Sequence, residues 1–142
     1  MSELTPEHLA DLHKRAFTSQ RPWTAKEFAG LLESPLVFCV GDARAFALGR
    51  VIADEAELLT LATAPEHQRQ GIGRHMLTAY ENTAQSRGAT RSFLEVAADN
   101  APAIALYQTA GYAQDGLRPN YYRTMTGDTV DAVLMSRLLP RR

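Results

Sequence analysis

Two glycines and two arginines meet in the stretch Gln68-Arg69-Gln70-Gly71-Ile72-Gly73-Arg74, where an apolar run ends and an amphipathic pattern begins. A helix N-terminus leaves backbone N–H groups unpaired and carries partial positive charge, so it is a ready site for a phosphate. Gly71 and Gly73 remove side chains that would keep an anion away from those donors. Arg69 and Arg74 add charge and forked donors suited to phosphate oxygens. The segment therefore predicts a diphosphate cradle placed after a strand. Two nucleotide versions of such a cradle fit badly. A P-loop needs Lys-Ser/Thr after its last glycine, and Gly73 is followed by Arg74-His75. A dinucleotide fingerprint needs a third glycine where Met76 stands, and it opens a domain rather than lying mid-chain.

A second group of residues with chemical potential lies downstream. In Phe93-Leu94-Glu95-Val96, strand alternation puts Leu94 and Val96 on one face and Phe93 and Glu95 on the other. A carboxylate in an apolar strand is either a solvent-facing group on an edge or a group kept for proton transfer. Asn100 stands where a helix cap belongs. Tyr107 follows two turns later; it is either a core aromatic or a proton donor. Cys39, the one cysteine, sits in Leu36-Val37-Phe38-Cys39-Val40 and reads as a buried, inert thiol. His8, His13, His67 and His75 show no metal spacing and read as surface or helix-face residues, so no metal is expected.

The elements that must position these residues follow from periodicity and punctuation. Thr5-Pro6 starts a helix with Leu9, Leu12, Ala16 and Phe17 on one face. Thr24 and Glu27 form a capping box ahead of Phe28, Leu31 and Leu32, and Pro35 stops that helix. Strands are predicted over 36–40, 45–53 and 56–63, a helix over 71–87 stopped by Gly88, a strand over 90–97, and a helix from Asn100 to Ala110. A strand from Tyr112, a loop holding Pro119 and Asn120-Tyr121-Tyr122, and a final strand over 130–139 complete the chain. The step from 56–63 to 90–97 is a right-handed crossover between parallel strands. The result is an α/β (α+β) class protein with a mixed, mostly antiparallel sheet flanked by helices. The 142 residues suit one domain, 1–142. A net charge of −1 offers no field to attract nucleic acid or an anionic membrane. No leader or membrane-length apolar run is visible, so a cytoplasmic protein is expected.

With these residues in place, a family resemblance becomes legible. Gln68-Arg69-Gln70-Gly71-Ile72-Gly73 resembles the Gln/Arg-x-x-Gly-x-Gly/Ala signature of the GNAT superfamily of N-acetyltransferases, and the run Phe93 to Tyr112 resembles the second half of that family's core. The likeness runs from the first helix to the last strand and implies the GNAT fold with acetyl-CoA as co-substrate. Within the superfamily the chain is similar to the RimI-type ribosomal-protein alanine N-acetyltransferases, through Pro22-Trp23-Thr24, Gln68–Arg74, Leu94–Tyr107 and the tail from Arg118. Three features depart from that pattern. The family's usual first strand is missing or vestigial, Thr60 stands where Asn is expected, and Phe93 where Trp is expected.

The resemblance implies roles residue by residue. Glu95 becomes the general base on a central strand, and Tyr107 the acid that protonates the departing thiolate. Gln68, Arg69, Gln70, Gly71, Ile72, Gly73 and Arg74 hold the diphosphate. Asn100 contacts the cofactor while capping its helix. The strand bearing Leu61, Ala62 and Thr63 splays from the Glu95 strand, and its free amides pair with the pantetheine arm. Tyr121 or Tyr122 lines the path of the acceptor, the N-terminal alanine of a small-subunit ribosomal protein. Transfer is direct, in a ternary complex, because Cys39 is poorly placed to carry an acyl group. Asp131 reads either as an attractor of the terminal ammonium or as a solvated strand-start residue. Two rivals remain on the sequence: acetylation of a small-molecule amine, and a non-catalytic acyl-CoA-binding module.

Overall fold

The apolar run that ends at the glycine segment forms the strand on which the architecture turns. In the computed structural model, which describes residues 4–17 and 21–140, this strand is β3 (Glu55–Thr63). Before it come helices α1 (Pro6–Ala16) and α2 (Ala25–Leu32) and strands β1 (Val37–Gly41) and β2 (Ala45–Ile52). After it come α3 (Ile72–Ser86), β4 (Arg91–Ala97), α4 (Ala101–Thr109), β5 (Ala113–Arg123) and β6 (Thr129–Leu138). The six strands lie in the order β1-β2-β3-β4-β6-β5, and only the β3–β4 pair is parallel. Among the described residues α1 is the first element.

Local chemistry explains the helix boundaries. The Thr5 hydroxyl accepts the His8 N–H and starts α1. Both bonds of the Thr24–Glu27 capping box are formed at α2. Past the end of α3, Gly88 takes φ +97°, a left-handed turn that suits glycine.

The sheet has a core on each face. Met76, Leu77 and Tyr80 of α3 pack with Leu58, Leu94, Val96 and Met135 on one side. Leu9 and Leu12 of α1 and Phe28 of α2 pack with Val37, Phe46, Leu48 and Ala62 on the other. One strand changes face between these clusters. Leu48 pairs with Thr60 and Gly49 with Leu58, so Leu59 is an extra residue in β3. This bulge turns Leu58 toward α3 but Ala62 toward α1 and α2. Pairing of β3 with β4 stops at the same place, with Leu58 opposite Leu94. Beyond that point β3 runs on to Thr63 against β2 alone, while β4 runs on to Ala97 against β6.

The expected loop around Pro119 is instead part of β5, an edge strand, so Asn120, Tyr121 and Tyr122 lie within a strand. Arg118 pairs with Ala132 and Tyr122 with Val130, leaving two extra residues on β5. That irregularity accommodates Pro119, which has no N–H to give a ladder. Asn120 takes φ +54° there; its N–H donates to Asp131 Oδ1 at 2.8 Å, and its side-chain oxygen accepts from Thr129 Oγ1 at 2.9 Å. Asp131 is thus engaged in holding the bulge.

Gly49 sits against the core on the α3 face. A Cβ there would stand 2.6 Å from the Tyr80 ring and 2.7 Å from the Phe38 ring. Tyr80 is fully buried and its hydroxyl is bonded to Ser92 at 2.8 Å, so the ring has little freedom to retreat. Gly49→Ala is expected to destabilise the fold by about 1–3 kcal/mol, the usual cost of overpacking a core. Equilibrium denaturant unfolding measures it.

Candidate active site

The glycine segment builds the start of α3. Gly71 is its N-cap at φ +78°, and no side chain caps the helix, so its first N–H groups are left to a ligand or solvent. A side chain at Gly71 would meet no protein atom within 4 Å but would be held in a strained left-handed conformation. Arg69 is also left-handed, at φ +63°, a conformation that costs a non-glycine residue of order 1 kcal/mol.

These residues open onto a cleft of about 420 Å³. Leu61, Ala62 and Thr63 of β3, Gln68, Arg69, Gly71, Gly73 and Arg74 of the segment, and Asn100 all line it. Gln70 and Ile72 do not: Gln70 Nε2 donates to the Glu66 carbonyl, and Ile72 packs against the core on the α3 face. Gln68 has a structural task as well, donating from Nε2 to the Thr63 carbonyl at 3.1 Å. Phe17, Pro102, Ala103 and Leu106 also line the cleft. The last three were legible in part, since they follow Asn100 in the first turns of α4.

A smaller cavity of about 90 Å³ occupies the gap where β3 and β4 part. Residues 58–61 and 94–97 form its sides, with Tyr107, Tyr122, His13 and Trp23 around them. Phe17, Leu61, Asn100 and Ala103 line both spaces, so the two adjoin. Asn100 caps α4 as expected, its Oδ1 accepting the Ala103 N–H at 3.3 Å, and it lines the cleft.

Glu95 lies on an interior strand, on the face opposite Leu94 and Val96. Its Oε2 is buried and has no hydrogen-bond partner, while Oε1 lies 3.7 Å from Arg118 Nη2. Tyr107 is buried, and that burial pushes its hydroxyl well above the ordinary tyrosine range. The hydroxyl stays protonated and bonds to no protein group among the described residues. Tyr122 is half-buried beside Glu95, and burial first and the Glu95 charge second push its hydroxyl up. Tyr121 is exposed and lines neither space; it packs edge-on against Tyr122 at 5.0 Å. Of the two tyrosines singled out in the sequence, only Tyr122 reaches the cavity.

Comparison with known proteins is decisive at this point. A model of the acetyltransferase (GNAT) family matches residues 2–112. The [ribosomal protein bS18]-alanine N-acetyltransferase of Escherichia coli (strain K12) is 41% identical over 119 residues, covering 81% of this chain and 80% of that protein. The chain belongs to the GNAT family of acetyltransferases. The crystal structure of the ribosomal-protein-S18-alanine N-acetyltransferase from Escherichia coli superposes with a TM-score of 0.86 at 34% identity, covering 100% of this chain and 94% of that one. Arabidopsis thaliana NAA60 in complex with acetyl-CoA shares the fold, with a TM-score of 0.83 at 15% identity over 98% of this chain and 96% of that one.

This GNAT enzyme is an N-acetyltransferase, and the family uses acetyl-CoA. The cleft suits that co-substrate on three counts. Donors at the α3 start are uncapped, Arg69 and Arg74 stand beside them, and the β4-facing backbone of β3 beyond Leu58 has no strand partner. No group of acidic, His or Cys residues fit to hold a metal ion occurs among the described residues. No helix among them is long and apolar enough to cross a membrane. Cys39 lines neither space, and burial pushes its thiol up to about 11.

His13 departs from its expected place on a surface or open helix face. It is buried, stacked on Trp23 at 5.2 Å and tilted against Phe17 at 4.5 Å, and its Nδ1 accepts the Trp23 N–H. Helical spacing from Leu9 would have signalled this, since position 13 shares a face with position 9. Burial lowers its pKa to about 4.

Two predictions follow from this geometry. Gly71→Val is expected to weaken coenzyme A binding by at least tenfold, because it strains the turn that aims the α3 amides; isothermal calorimetry reads the loss. The unfolded chain takes up a proton on His13 near pH 6.5, while the folded chain holds it neutral down to about pH 4. The His13 contribution to stability is therefore complete above pH 6.5 and is lost as pH falls toward 4. Denaturant unfolding at pH 7, 6 and 5 should show a fall that is shallower in His13→Leu.

Proposed function

We propose that the chain acetylates a protein N-terminal α-amine in the cytoplasm, with the N-terminal alanine of a small-subunit ribosomal protein as acceptor. The carrying observation is Glu95: a carboxylate with one buried, unpartnered oxygen, beside the gap between β3 and β4. The 41% identity to the bS18-alanine enzyme supports the acceptor class.

Acyl transfer to an amine needs a neutral nucleophile, a donor for the oxyanion and a proton for the leaving thiolate. An α-amino group has a pKa of ~8 against ~10.4 for lysine, so its deprotonation at neutral pH is easier by roughly 3 kcal/mol. One carboxylate, acting directly or through a water, suffices for it. Acetyl-CoA supplies the activated acyl group, held by the α3 amides, Arg69, Arg74 and the free edge of β3. Glu95 takes a proton from the attacking amine on the α1–α2 side of the sheet. Tyr107, kept protonated by burial, gives a proton to the departing sulfur. The amine and the thioester thus meet through the parted strands from opposite sides. Tyr122 lines the acceptor's approach.

Glu95→Gln and Tyr107→Phe are each expected to lower turnover by about a hundredfold, the ordinary scale of a lost acid or base. The affinity for coenzyme A should change less than threefold. Intact-mass analysis of small-subunit ribosomal proteins after incubation with enzyme and acetyl-CoA should show one acetyl group gained on a single component. Wild-type rates in both variants, or acetylation of small amines with none of any ribosomal protein, would overturn the reading.

A further inference from the structure

The proposed base is not left alone by the fold. Arg118 pairs with Ala132 on β6, and Glu95 pairs with Leu134, two residues along the same strand. Both side chains therefore leave the same face of the sheet. Arg118 Nη2 lies 3.7 Å from Glu95 Oε1. The same guanidinium sits over the Tyr121 ring, 5.3 Å from its centroid. Tyr121 in turn packs edge-on against Tyr122, which lines the cavity with Glu95. The β5 irregularity makes this stack possible. Two extra residues between Arg118 and Tyr122, pinned by the Asn120–Asp131 bond, bring Tyr121 back beneath Arg118.

An arginine that is 55% exposed would ordinarily be free to swing into solvent. Here an aromatic platform restrains it and a carboxylate oxygen faces it. The consequence falls on the other oxygen. Oε1 faces Arg118 at ion-pair distance, whereas Oε2 is buried and meets no protein partner. A buried carboxylate oxygen without a partner is costly to hold, and an incoming N–H or water relieves that cost.

We infer that Arg118 is a positioning residue for Glu95: stacked on Tyr121, it engages Oε1 and so fixes Oε2 as the oxygen that receives the acceptor's proton. The inference rests on the reading of Glu95 as the base. Arg118 lines neither the cleft nor the cavity; it acts through the carboxylate.

Steady-state kinetics with acetyl-CoA and a peptide beginning with alanine test it. Arg118→Met should lower kcat about tenfold, one decade of barrier, with KM for acetyl-CoA unchanged within twofold. Arg118→Lys, which keeps the charge, should recover most of the loss. Tyr121→Leu, which removes only the platform, should lower kcat in the same direction by a smaller factor. In a Glu95→Gln background, Arg118→Met should cost nothing further, because its target oxygen no longer acts as a base. A wild-type kcat in Arg118→Met and Tyr121→Leu, or the same tenfold loss with and without Glu95, would overturn the assignment while leaving Glu95 as base intact. A wild-type kcat in Glu95→Gln would instead remove the base itself.

Discussion

The parting of β3 from β4 after the Leu58–Leu94 pair is the constraint on which the candidate site depends. Two parallel strands that stayed paired would satisfy each other's backbone groups and close the sheet. Here the extra residue at Leu59 kinks β3 and switches its side chains between faces. The kink sends β3 along β2 while β4 follows β6, and a hole opens through the sheet. One consequence is a row of backbone groups on β3 with no ladder partner, the kind of edge that an extended ligand can complete. Another is a cavity lined by His13 and Trp23 as well as by Ala103 and Tyr107. The strands stay together elsewhere because two separate cores clamp them, α3 on one face and α1 with α2 on the other.

A gap in a sheet is tolerable only if its walls are rigid. A buried polar network fixes the α3 side: Ser92 accepts or shares hydrogen bonds with Tyr80 at 2.8 Å and Tyr112 at 2.7 Å, and the Tyr112 hydroxyl also reaches Glu81 at 2.9 Å. Arg137 closes the network by donating to the Ala110 carbonyl at 2.9 Å and lying beside Glu81. Through it α3, β4, β6 and the end of α4 are tied together. The Tyr112 N–H donates to the Tyr107 carbonyl, so the network ends next to the candidate acid. Members of such a network are satisfied by each other, which makes the cluster stiff and its partial disruption expensive.

Burial sorts the protonation states around the cavity in one direction. Tyr107 and Tyr122 are held protonated and His13 neutral, each chiefly because its charged form loses water. The charges that remain, Glu95 and Arg118, face each other. Where water is withheld from charged groups, each hydrogen bond made inside is strengthened.

Much of this was legible in the order of residues. Capping boxes, glycine stops and alternation are local, so Thr24–Glu27, Gly88 and the Leu94/Val96 versus Phe93/Glu95 split could be read directly. The order of elements, the parallel crossover and the helix start at Gly71 followed from the same local rules. The loop expected around Pro119 turned out to be an irregular edge strand, because tertiary pairing with β6 and the Asn120–Asp131 bond overrode two residues that usually mark turns. His13, expected on a surface or helix face, is enclosed by Trp23, Phe17 and Phe28, a packing that only the assembled fold shows. Arg118 carried no signal at all. Its meaning comes from a neighbour 23 positions earlier, reached across β6. The sequence by itself determined the kinds of element, their order and the residues able to do chemistry, since these depend on neighbours a few positions apart. The tertiary structure alone decided where two strands separate and which distant side chains meet, since register, bulges and burial are properties of the assembled sheet.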